Sequence, residues 1–265
     1  DCKIDQKGIN FCRTRSPILA PSFIRLFLDE SVQEIQFAAT QCAKGDDDTI
    51  IPLHLAEAAV DRDVAISPSA RPVWALDVAR FGSDRTVLLR RTANVVTDIE
   101  AWQGLDLMAT VGRVKAQFDA LLPSQRPTEI MVDSIGLGSG VVDRMRELGM
   151  PVRGINVSEA PAFGGTYTNL RTELIFRVRG WLEQRSSRLP KNGALVAELT
   201  SIRYSFNSNG KVKAESKDDL RRRGLRSPDL ADALFLSFAG DAATALGTPT
   251  NNWSRPIRRN LKGIA

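Results

Sequence analysis

The chain has 265 residues, 43% hydrophobic and 25% charged, which is enough for one substantial core, or one core with a small appendage. Its net charge of +5 favours a polyanionic partner without requiring one. Three cysteines without paired spacing (Cys2, Cys12, Cys42) and the single His54 argue against a disulfide framework, a histidine-based zinc site and a Ser-His-Asp triad centred elsewhere, so any metal must rest on carboxylates.

Residues 1–15 match no strand or helix pattern, and a chain starting at Asp1 rather than Met reads as part of something longer. Ser16-Pro17 resembles a helix start, and Phe23, Ile24, Phe27 and Leu28 recur at helical spacing, which predicts a helical region over 16–45 ended by Gly45. The acidic run Asp46, Asp47, Asp48, then Ile50-Ile51-Pro52 and a short helical stretch over 53–60, read as a connector, with a boundary near residue 65. From Pro72 the pattern turns to β. Apolar runs at 73–78, 86–91 and 95–102, with a turn at Ala93-Asn94, predict an antiparallel meander.

An amphipathic helix over 107–122 follows, then a strand at 129–133, a helix over 139–148 stopped by Gly149, and a strand at 152–157. Helices over 170–184 and 229–242 are placed to cover the sheet, while runs at 203–206 and 211–214 flank Asn207-Ser208-Asn209-Gly210, a hairpin signal. The order strand-strand-strand-helix-strand-helix-strand is that of an α/β, RNase H-like mixed sheet: three antiparallel strands, then parallel ones, flanked by helices, with a β-hairpin insertion. Beyond Ala245, Gly, Pro, Asn and Arg dominate, as in a mobile tail. No run reaches the roughly 20 apolar residues of a membrane span and no signal segment opens the chain, so a cytoplasmic location is expected.

Asp77 ends the first strand among apolar neighbours, where a charge is costly unless paired or metal-bound. Asp133 ends the fourth strand, which lies beside the first in such a sheet, so both carboxylates emerge at one edge. Pro228 suits the first turn of a helix whose Asp229 and Asp232 lie three apart. Clustered carboxylates repel, and divalent magnesium or manganese, which prefer oxygen ligands, relieves the repulsion while lowering the pKa of a bound water; this suits phosphodiester hydrolysis by two ions about 3.5–4 Å apart. Asp229 equally fits a helix-favouring acid at an N-terminus. Asp84 fits a turn residue, and Gly136-Leu137-Gly138-Ser139-Gly140 a tight strand-to-helix turn rather than a dinucleotide site, since it lacks the G-x-G-x-x-G spacing. No G-x-x-x-x-G-K-[ST] loop occurs, so no nucleotide-hydrolysing site and no organic cofactor are expected.

The segments 76–86, 132–138 and 227–234, with Tyr167-Thr168-Asn169-Leu170-Arg171-Thr172-Glu173 and Glu215-Ser216-Lys217-Asp218-Asp219-Leu220, resemble the C-terminal nuclease domain of tailed-phage large terminases, in order over about residues 70–240. The resemblance implies a metal-dependent endonuclease that cuts concatemeric double-stranded DNA during packaging. It implies Asp77, Asp133 and Asp232 as catalytic metal ligands with Asp229 as a fourth, and two Mg2+ or Mn2+ ions. By the same resemblance, residues 1–65 are the end of an ATPase domain and its linker, 66–245 the nuclease domain and 246–265 a basic tail. The implied partners are DNA, the terminase small subunit and the portal protein, in the cytoplasm of an infected or lysogenic bacterium. Lys217, Arg221, Arg222 and Arg223 are candidate phosphate contacts. Two other readings stay open: a Holliday-junction-resolvase-like nuclease, and a catalytically inactive, prophage-derived DNA-binding domain.

Overall fold

The computed structural model describes residues 48–79 and 84–240. The helical region expected over 16–45 and the tail from 246 lie outside the described residues.

Among the described residues the chain forms fourteen elements. They are α1 (Leu53–Ala59), β1 (Pro72–Asp77), β2 (Thr86–Thr92), β3 (Val95–Trp102), α2 (Leu107–Asp119), β4 (Glu129–Asp133), α3 (Gly138–Glu147), β5 (Val152–Ile155), α4 (Leu170–Glu183), α5 (Gly193–Ser201), β6 (Tyr204–Phe206), β7 (Val212–Ala214), α6 (Lys217–Arg222) and α7 (Asp229–Leu236). The five-stranded sheet has the order β3-β2-β1-β4-β5. β1 pairs antiparallel with β2 and β2 with β3, whereas β1–β4 and β4–β5 are parallel. This is the mixed sheet the strand order predicted, and β6 and β7 form the expected hairpin.

β1 carries an unbroken run, Val73-Trp74-Ala75-Leu76, because it is central and covered on both faces. Trp74 and Leu76 face a core shared with Val111, Val114 and Phe118 of α2 and Val141, Val142 and Met145 of α3. Val73 and Ala75 face Leu236 of α7 together with Met131. The larger core on this second side joins Val87, Leu89 and Val96 to α4, α5 and α7, and it also takes in Ile50, Ile51, Ala56 and Ala59. Residues 50–59, whose composition reads as a connector, therefore contribute buried apolar surface to the same core as the sheet.

Helix starts follow local chemistry. Asp106, Asn169 and Asn192 accept hydrogen bonds from backbone N–H groups in the first turns of α2, α4 and α5, and Ser216 with Asp219 forms a reciprocal capping box on α6. The last helix ends at Leu236, short of the expected 242. There the buried Arg91 guanidinium donates to the Ser237 carbonyl and hydroxyl and to the Ala93 carbonyl, closing off the helix C-terminus. Two helices, α5 and α6, were not foreseen from the sequence.

The β4–α3 turn is packed tightly. A Cβ at Gly138 would lie 1.6 Å from the Asp133 carbonyl oxygen, and Gly136 has φ +62. Gly138→Ala is expected to destabilise the fold by about 3 kcal/mol, the upper end of the usual overpacking cost, because the obstacle is backbone. Denaturant unfolding measures this, and a change within experimental error would mean that α3 can stand away from β4.

Candidate metal centre

Strand alternation sets the direction of the two strand-end acids. Asp77 has the parity of Val73 and Ala75, and Asp133 that of Met131, so both turn to the face covered by α7. They sit one residue beyond the last paired positions of the two parallel strands, Leu76 and Val132. α7 supplies Asp232. These three acids, with Arg171 of α4 and Lys217 of α6, line one pocket of about 40 Å³ floored by Leu174, Phe235 and Leu236.

Two cations hold Asp232 and Asp77. Arg171 donates from Nε and Nη2 to Asp232 Oδ1 at 3.2 and 3.0 Å, and from Nη1 to the Glu215 carbonyl at 2.8 Å. Lys217 Nζ lies 2.9 Å from Asp232 Oδ2 and 3.7 Å from Asp77 Oδ2. Asp133 Oδ1 accepts the Ile135 N–H at 3.1 Å. Lys217 is the first residue of α6, where a cation opposes the helix dipole. It is held there by the carboxylates it meets and by Leu220, three residues on and fully buried.

Burial pushes the Asp77 carboxyl up to about 7; Lys217 opposes this, while the negative charges of Asp232, Asp133 and Asp229 add to it. Burial also raises Asp133, against the pull of the Ile135 amide and Lys217. For Asp232 burial works upward too, but Arg171 and Lys217 outweigh it and hold the carboxyl below its ordinary range. Lys217 moves up: the carboxylates of Asp232 and Asp77 overcome the desolvation that would lower it. The acids are thus at odds with one another: burial favours a proton on Asp77, whereas Arg171 and Lys217 favour the charged form of Asp232.

Among the described residues no three carboxylate, histidine or cysteine side chains are gathered closely enough to hold an ion as they stand. The Lys217 ammonium takes the cationic position between Asp77 and Asp232. The carboxylates offer only oxygen donors, the type that hard divalent cations prefer, and their present counter-charges are an ammonium and a guanidinium.

The other sequence-predicted residues lie elsewhere. Asp229, 3% exposed, is outside this pocket lining: its Oδ2 accepts the Arg85 N–H at 2.8 Å and lies 3.7 Å from Arg85 Nε. The two α7 acids, expected to look the same way, have separate partners. Arg221 pairs with Asp84 and Asp218, Arg222 with Asp219 and Arg223 with Glu215, so this arginine run is tied to acids around it, and Lys217 is a pocket residue. Asp84 lies at the edge of the β1–β2 connection, whose residues 80–83 are outside the described residues. Nothing in the sequence around Arg171 marks it as a pocket residue, and only the tertiary placement of α4 brings it to Asp232.

No family model matches the chain, and no curated protein matches it. Solved structures do. The nuclease domain of the large terminase subunit of bacterial virus Sf6 is 21% identical with a TM-score of 0.59, covering 72% of this chain and 98% of that one. The large terminase nuclease from thermophilic phage G20c (14%, TM-score 0.53) covers 71% and 96%, and that of Thermus phage P74-26 (12%, 0.51) covers 71% and 93%. A mutant Sf6 domain has been solved with manganese and with calcium, and the G20c domain with magnesium and with cobalt. At such identities the likeness is one of fold: the mixed five-stranded sheet flanked by helices is that of the RNase H-like terminase nucleases.

A pH dependence follows from Asp77. Its folded-state value near 7 exceeds the ordinary 3.8, so between those limits the folded chain keeps a proton that the unfolded chain has lost, and stability falls as pH rises through this window. Asp77→Asn, which cannot ionise, is expected to raise the melting temperature more at pH 8 than at pH 5. Equal shifts at both pH values would mean that Asp77 ionises normally.

Proposed function

We propose that this chain carries a metal-dependent endonuclease centre of the terminase type, acting on double-stranded DNA. The observation that carries the reading is the meeting of Asp77, Asp133 and Asp232, from three segments far apart in sequence, in one pocket with Lys217 as the resident cation. The same fold in phage terminase nucleases, some solved with divalent metals, supports it. When bound, two Mg2+ or Mn2+ ions would activate water and polarise the scissile phosphodiester.

The protein's own contribution is positional and electrostatic. Asp77 and Asp133, fixed at neighbouring strand ends, offer oxygens on one side, and Asp232, gripped at Oδ1 by Arg171, keeps Oδ2 for the centre. Arg171 stays as a fixed positive charge beside an entering phosphate. Lys217 compensates the acids before cations arrive. Asp229 supports the helix from its pairing with Arg85 and adds negative charge nearby, consistent with a lesser role. In its assembly such a domain would serve an ATP-driven packaging motor with a small subunit and a portal protein, in the host cytoplasm. Among the described residues no helix is long and apolar enough to cross a membrane.

Asp77→Ala and Asp133→Ala are expected to abolish Mg2+- or Mn2+-dependent cleavage of linear duplex DNA while circular dichroism stays that of the wild type. Asp232→Asn should lose nearly all cleavage and Asp229→Asn only part. Retained cleavage in both alanine variants at matched purity would place the chemistry elsewhere, and preference for a four-way junction over linear duplex would move the substrate to branched DNA.

A further inference from the structure

α7 has an unusual start. Its N-cap residue is Pro228, whose side chain cannot accept a hydrogen bond, so the first-turn amides of the helix have no local acceptor. The acceptor comes from another helix. Glu198 of α5, its side chain 15% exposed, takes the N–H groups of Leu230 and Ala231 on Oε2 at 2.8 and 3.0 Å. Its Oε1 lies 2.6 Å from Arg85 Nη2, and the Arg85 backbone N–H and guanidinium in turn hold Asp229. The amides bound by Glu198 immediately precede Asp232.

The apolar contacts of α7, through Leu230, Ala231, Ala233, Leu234 and Phe235, bury it in the core and interlock with their neighbours there. Two charge-assisted hydrogen bonds to consecutive amides add a directional restraint along the helix axis, at the end that carries Asp232. Resting on the reading of the pocket as a divalent-cation centre, we propose that Glu198 is a positioning residue. It sets the axial position of α7, and thereby the distance of Asp232 from Asp77 and Asp133, to the tolerance that magnesium requires. Mg2+ demands near-ideal octahedral geometry, whereas Ca2+ accepts variable distances and coordination numbers. Loss of the anchor therefore changes the selectivity between the two ions as well as the stability of the helix.

The experiment is calorimetric titration of the full chain with Mg2+ and separately with Ca2+, in the wild type, Glu198→Asp, Glu198→Ala, Glu198→Gln and Leu199→Ala, with melting temperatures alongside. Glu198→Asp and Glu198→Ala should weaken Mg2+ binding about tenfold, as loss of a group that orients a metal ligand does, and Ca2+ binding much less. Glu198→Gln, which keeps a carbonyl acceptor, should recover much of the Mg2+ affinity. Leu199→Ala removes a fully buried neighbour and should lower the melting temperature without moving the Mg2+/Ca2+ ratio. If Glu198→Ala does not fold, Glu198→Asp decides the matter. An unchanged ratio in Glu198→Asp, or a fall equal for both ions, reduces Glu198 to a structural cap and overturns the proposal. Uptake of neither ion by the wild type, matched by Asp232→Asn, overturns the cation-centre reading itself.

Discussion

Three carboxylates gathered in one largely buried pocket cannot all carry their charge without compensation, and the pairing of Arg171 and Lys217 with Asp232 and Asp77 is the interaction on which the rest of this centre depends. Burial away from water raises the proton affinity of a carboxylate, neighbouring like charges add to it, and Asp77 shows the result. The cations do not remove the strain evenly. Arg171 saturates one oxygen of Asp232, whereas Lys217 reaches both Asp232 and Asp77 from a helix terminus that disfavours it. The guanidinium is further fixed by the Glu215 carbonyl, whereas the ammonium is shared between two carboxylates.

The geometry beneath the charges comes from two different kinds of packing. Parallel pairing of β1 and β4 places Asp77 and Asp133 at the same level and on the same face through backbone hydrogen bonds alone. Asp232 has no such ladder. Its helix is tied down at its ends, by Glu198 at the amides of the first turn and by Arg91 at the Ser237 carbonyl, an anion at the positive end and a cation at the negative end. Arg91 is buried without entering the acid pocket. Desolvation lowers its pKa to about 10, and it still remains charged at neutral pH.

The strands were legible because each obeys a local rule: apolar runs bounded by turn residues, with an aspartate closing two of them. So was the sheet order, since three short-linked strands followed by two helix-linked ones leave few topologies. α6 was missed because six residues with one buried side chain, Leu220, carry no periodicity, although Ser216 and Asp219 spell a capping box. α5 was missed because Asn192-Gly193 reads as a turn, while its buried residues, Leu195 and Leu199, are too few to mark a face. The partners of the charged groups were not legible at all. Lys217 and the arginines after it look like one basic patch in sequence, yet one turn of helix sends the lysine inward to Asp232 and the arginines outward to neighbouring acids. Asp229 and Asp232 differ for the same reason, since where each points depends on Arg85, Arg171 and Lys217, which come from other elements.

The separation of the three acids along the chain has a consequence for biosynthesis. The ribosome delivers Asp77 and Asp133 with the sheet, but Asp232 arrives only with α7, the last of the named elements, whose docking also completes the larger core. A nascent chain that stops short of α7 lacks the third carboxylate together with part of the apolar cover of β1. On the proposed reading, the capacity to cut DNA is withheld from every copy of the domain that lacks this helix.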